Sequence, residues 1–194
     1  MRLGIAHHYG WAVAVTASDD LEVIDRRRLE LIEPGLPPAP IHHEGGPHLL
    51  HRRKEPLGDA SLAKLVDHVR ASVAGTTSVA LDDLAESLSS PIASISLRAW
   101  APDLPSDIAL LRRAPYESQA DSVMYRQVMA ELAEARGWSV HLYNAATIED
   151  EATRILRGRA EDVLHGPRRR LGPPWTKDHR VSLAATIVAS EVGR

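Results

Sequence analysis

Two periodicities divide this chain. Apolar residues alternate at Trp11, Val13 and Val15 and again at Leu21 and Val23, with small or polar partners between them, which is the period of a half-buried strand. This predicts strands over Leu3 to His7, Trp11 to Ala17 and Leu21 to Ile32, a three-stranded antiparallel meander with Ser18-Asp19-Asp20 as its second turn. From Ser61 the interval becomes helical: Leu62, Leu65, Val66, Val69 and Val73 recur on one face, Gly75-Thr76-Thr77 predicts a break, and Val79, Leu81, Leu84 and Leu88 resume the pattern. Ile95, Leu97 and Ala99 place a strand within Ile92 to Trp100, between Pro91 and Pro102. Val123, Met124, Val128 and Leu132 define a helix over Asp121 to Arg136 that Gly137 stops, and Trp138 to Tyr143 is the next strand. The remainder reads as helix, interrupted at Gly166-Pro167 and at Gly172-Pro173-Pro174.

One stretch follows neither period. Residues 33–58 hold six of the thirteen prolines and four histidines, too broken for a core element and too long for a tight connection, so an exposed loop is expected there. The 194 residues, 44% hydrophobic and 25% charged, suffice for one core, and a single domain over 1–194 is the expectation. No run of eighteen apolar residues and no basic, apolar leader is present, which points to a cytoplasmic protein with no membrane span. Cysteine is absent, so disulfides, thiolate nucleophiles and Cys-based zinc sites are excluded, and any metal must be held by His, Asp and Glu. A formal charge of −3 argues against coating nucleic acid through overall charge and leaves local patches as the alternative. Arginine outnumbers lysine, the residue better suited to planar recognition of phosphate.

Candidate chemistry concentrates in three places. Pro173 and Pro174 end what precedes them, Thr176 can cap a new helix, and its first turn then presents Lys177, Asp178, His179 and Arg180, ahead of a small-residue stripe from Val181 to Ala189; helix starts attract anions. Glu117 and Asp121, four apart before the helix of residues 121–136, can share a face. His7-His8 closes the first strand, where alternation sends adjacent side chains to opposite faces, so one of the two is expected at a site in the mouth of the sheet. The loop group His42, His43, Glu44, His48 and His51 has ligand types without the tight spacing of rigid metal sites and reads as solvent-exposed.

The order strand, strand, strand, helix, strand, helix, strand, helix is that of the ribonuclease H-like fold. Leu3-Gly4-Ile5 followed by Gly10-Trp11-Ala12-Val13-Ala14-Val15 resembles the opening of its Holliday junction resolvase branch, whose first strand carries Gly-Ile-Asp and whose second begins with a Gly-aromatic pair. Lys177-Asp178-His179 leading into Val181 to Ala189 resembles that branch's final helix. The chain also looks like a set of actinobacterial proteins, which implies no activity. The resemblance implies an α/β domain with a mixed five-stranded sheet and flanking helices. It also implies two divalent metals, Mg²⁺ or Mn²⁺, on carboxylates of the first strand, the fourth strand and the last helix, because phosphodiester cleavage stabilises both the attacking and the leaving oxygen. Here Ala6 stands where the first aspartate would follow Gly4-Ile5, Arg98 stands at the end of the fourth strand, and Asp178 alone matches.

Three readings follow. In the first, a degenerate domain binds nucleic acid or another phosphate-bearing ligand through Arg98, Lys177, His179, Arg180 and the runs Arg26-Arg27-Arg28 and Arg168-Arg169-Arg170. In the second, the pocket is rebuilt as a metal-dependent phosphodiesterase with Asp178 and Glu117 as ligands and His7 as ligand or base. In the third, the chain is a protein-interaction module anchored by an exposed Trp100 or Trp175.

Overall fold

The structure, a computed structural model, describes residues 1–46, 55–100 and 104–192. Its centre is a five-stranded mixed sheet in the order β3-β2-β1-β4-β5. Strands β1 (Arg2–His7), β2 (Trp11–Ala17) and β3 (Val23–Glu30) form the antiparallel meander, and β4 (Ser94–Arg98) and β5 (Ser139–Tyr143) add parallel to β1. Helix α1 (Asp59–Glu86) connects β3 to β4; the short α2 (Ile108–Leu111) and α3 (Glu117–Ala135) connect β4 to β5; α4 (Ile148–Leu156), α5 (Pro167–Leu171) and α6 (Lys177–Val192) follow. The segments predicted as strands are therefore all present: β1 starts one residue earlier, β2 has the predicted bounds, and β3, β4 and β5 are shorter than predicted.

Strand alternation builds two cores. Leu3 and Ile5 of β1 point to the face covered by α1 and α3, with Val69, Val73, Leu81, Tyr125 and Met129. Ala6 points to the other, where Val13, Val15, Leu183, Ala184 and Ile187 lie with α4 and α6. The small residues of α6 have a specific use. A Cβ on Gly4 would stand 1.9 Å from the Ser182 carbonyl oxygen, so β1 and α6 approach backbone to backbone. Ser182 Oγ donates to Val13 O (3.3 Å) and Ser96 Oγ to Ala185 O (3.2 Å), stitching that helix across three strands.

Three expectations need correction. The break at Gly75-Thr76-Thr77 does not occur: α1 runs through it, because Thr77 is fully buried with its hydroxyl donating to Leu31 O, and a single glycine weakens a packed helix without ending it. Helix α3 begins at Glu117, about one turn before the predicted start at Asp121. The segment 33–58 is not simply an exposed loop. Ala39 and Ile41 are buried, residues Ile41–Gly45 form one turn of π-helix, and the Asp121 carboxylate accepts from the backbone N–H groups of Ile41 (3.1 Å) and His42 (2.9 Å). Tyr125 Oη donates to Pro38 O (2.9 Å) and Arg112 Nε to Gly45 O (3.0 Å), so the strap 38–46 is pinned onto α3 and the end of α2. His48 and His51 lie outside the described residues.

Candidate functional site

Strands β1 and β4 run parallel side by side, so their C-terminal ends open onto the same edge of the sheet, at the point where connections leave in opposite directions and ligands bind in open α/β folds. A cleft of about 740 Å³ lies there. Strand β1 and its turn contribute His7, His8, Tyr9 and Trp11; β4 and its extension contribute Arg98, Ala99 and Trp100; α3 contributes Ser118, Gln119, Ser122 and Arg126. None of these lining residues is Asp or Glu.

Arg126 sets the character of the cleft. It is 6% exposed, yet among the described residues every hydrogen-bond partner of its guanidinium is neutral: Nε donates to Ser122 O (2.9 Å), Nη1 to Ala99 O (2.7 Å) and Arg98 O (3.4 Å), and Nη2 to Ser122 Oγ (2.9 Å). These bonds orient the cation without cancelling its charge. Burial, with Arg98 beside it, lowers its pKa to about 10, which leaves it charged at neutral pH. Among the described residues no carboxylate bonds to Arg98.

The two histidines face different neighbours. His7, in phase with Leu3 and Ile5, turns toward α3. Burial, together with Arg126, His8 and Arg98, drives its pKa down to about 3, so the ring is neutral. His8, one residue on, turns toward α6, where Nε2 lies 3.0 Å from Asp178 Oδ2. Its ring stacks on Trp11 with centroids 4.1 Å apart and planes at 14°. Both histidines therefore line the cleft, where one was expected, because His8 lies just past the strand end and is freed from strict alternation.

The remaining sequence candidates scatter. Glu117 is buried against the strap, 3.4 Å from a Cβ built on Gly46, and does not line the cleft. His179 is 6% exposed and closes the start of α6: its Nδ1 accepts from the Thr176 backbone N–H (3.2 Å) and lies 2.9 Å from Thr176 Oγ1. This is the geometry of a capping box with His in the place of Glu, and burial and Arg26 lower the His179 pKa in keeping with an accepting, neutral ring. Arg180 Nε reaches Glu149 Oε2 at 3.5 Å, and Lys177 is exposed.

Of the arginine runs, Arg26 is latched to the Gly172, Leu171 and Pro174 carbonyls, Arg27 pairs with Asp25, Arg28 pairs with Glu30 while covering Trp11, and Arg169 pairs with Asp162. Trp175 is buried, its Nε1 donating to Leu164 O (2.8 Å), so it cannot be the exposed anchor of an interaction module.

The metal-binding set does not assemble. Among the described residues no three His, Asp or Glu side chains are grouped to hold a metal ion, and the end of β4 brings the guanidinium of Arg98 to the cleft. Residues that sequence reasoning passed over complete the site instead. Arg126 was legible in one respect: Ser118, Ser122 and Arg126 repeat every four residues, a polar stripe beside the apolar face of α3.

No protein-family model matches the chain, and no curated protein matches it. Among the described residues, no helix is long and apolar enough to cross a membrane.

Proposed function

We propose that this chain is a ribonuclease H-like domain that has lost its metal carboxylates and binds a phosphate-bearing strand of nucleic acid in the cleft between β1 and β4. The strand order and the α-helical crossovers support the fold reading, as do Gly4, Trp11 and Asp178 at the positions the resemblance assigns them. The observation that carries the ligand reading is Arg126, a buried guanidinium held, among the described residues, by neutral acceptors alone, beside a second arginine that no described carboxylate neutralises. Buried cations are ordinarily paired, so the partner of this one is an anion from outside. Tyr9 and Trp100 around the same cleft are rings on which bases stack, Trp11 being already covered by His8 and Arg28, which favours a single strand over a compact inorganic anion.

The test is fluorescence anisotropy of a labelled single-stranded 2′-deoxy oligonucleotide, titrated at several salt concentrations. Affinity falls as salt rises, by about 0.7 in the log-log slope for each phosphate neutralised. Arg98→Ala lowers that slope by about 0.7 and weakens binding by about 1.4 kcal/mol, roughly tenfold. An unchanged slope in Arg98→Ala, or no binding at low salt, overturns the reading.

A further inference from the structure

We propose that the cleft cleaves single-stranded RNA without a metal ion, with His8 as the general base that activates the 2′-hydroxyl. The proposal rests on the anion-binding reading above. It begins from what the site has and what it does not. Water attacks a phosphodiester slowly unless something makes it a strong nucleophile, and the described side chains bring no three ligands together for a metal that would do so. RNA carries its own nucleophile on the carbon next to the phosphate. An attack within one molecule is favoured by effective concentrations on the order of 10⁵ M or more, and it then needs only a positioned base and cations around the phosphorus.

His8 meets the requirements of that base. Asp178 Oδ2, 3.0 Å from Nε2, holds the proton on Nε2 and so leaves the lone pair on Nδ1. Stacking on Trp11 fixes the ring plane. Among the described residues no hydrogen bond engages Nδ1, and the ring lines the cleft that also holds Arg98 and Arg126. His7 marks the convergence, since His8, Arg98 and Arg126 all act electrostatically on this one ring.

In the step, the 2′-oxygen gives its proton to His8 Nδ1 and forms a bond to phosphorus. The bond from phosphorus to the 5′-oxygen breaks, that oxygen takes a proton from solvent, and His8 returns its own to solvent. One product ends in a 2′,3′-cyclic phosphate and the other begins with a 5′-hydroxyl; nothing is oxidised and no water is consumed. Arg98 and Arg126 stabilise charge building on the non-bridging oxygens. Asp178 is a positioning residue, acting through His8.

The experiment incubates the purified chain with end-labelled single-stranded RNA and with the 2′-deoxy strand of the same sequence, both in EDTA. The expected result is cleavage of the RNA alone, leaving cyclic-phosphate ends. His8→Phe, which keeps a ring on Trp11, loses at least about 100-fold in cleavage rate. Asp178→Asn lowers kcat with KM unchanged, and Asp178→Glu recovers part of it. Intact RNA beside a bound deoxy strand overturns the cleavage proposal and leaves the binding reading standing. Failure to bind either strand removes both. Cleavage by His8→Phe at the original rate shows that His8 is not the base and overturns the proposal.

Discussion

His7 and Asp121, both buried, titrate in opposite senses. Burial raises the Asp121 pKa from 3.8 to about 7, partly offset by the N–H groups of Ile41 and His42, while His7 falls from 6.5 to about 3. Between pH 4 and 7 the folded chain holds a proton on Asp121 that the unfolded chain releases, so this group favours the fold at the acid end and its contribution is lost as pH rises. For His7 the unfolded chain takes up the proton instead, so its contribution is complete above about pH 6.5 and is lost as pH falls toward 3. The two offset each other across the same window. Asp121→Asn therefore leaves the His7 slope unopposed, and its melting temperature falls more steeply than that of the unaltered chain between pH 6.5 and 4. His7→Gln reverses the effect, leaving a chain whose melting temperature falls as pH rises from 4 to 7. Parallel slopes in calorimetric scans of all three proteins would refute this account.

At the level of elements, two glycines with similar signals in the sequence do opposite things. Gly4 lets β1 meet α6 through their backbones, and a methyl group there has no space because the obstacle is the Ser182 carbonyl rather than a mobile side chain. Gly4→Ala is expected to cost about 3 kcal/mol, at the upper end for an overpacked core, and to displace Asp178 from His8 because both hang from the elements pushed apart. Gly75 sits mid-helix in α1 with nothing within 4 Å of an added Cβ, and Gly75→Ala is expected to stabilise by about 0.5–1 kcal/mol. Thermal unfolding checks both signs. The same pair shows what sequence pattern conveys. Period alone located every strand and the principal helices, because alternation and helical spacing report local burial directly. The continuity of α1 through Gly75 depends on Thr77 packing beneath β3, a tertiary contact that no local window contains. The strap 38–46 was misread for a related reason: its order comes from Asp121, eighty residues away, and not from its own proline-rich sequence.

Over the whole molecule, a net charge of −3 coexists with a cleft that holds two arginines and, among the described residues, no lining carboxylate. Average composition hides such a site, since what draws an anion is the local field within low-dielectric walls. The sequence placed His7, Arg98 and Asp178 near one another because strand ends and the start of the last helix meet at a predictable edge. It also placed Glu117 there, which the strap takes away from the cleft, and it missed Arg126, whose role arises from carbonyl groups contributed by the end of β4. His179 looked like chemistry and proved to be a helix cap, a distinction set by whether the ring turns back on Thr176 or outward.

The pairing of His8 with Asp178 joins residues 170 positions apart in sequence, and β1, the middle strand of the sheet, receives its covering from the last helix. A chain growing from its amino end at about 5–20 residues per second passes roughly 10–30 s between making the first of these residues and the second. Throughout that interval the histidine side of the cleft has no aspartate, and the second core has no lid. On the reading proposed above, nucleic acid near the nascent chain, including the message being read, meets an unfinished site until the final helix arrives.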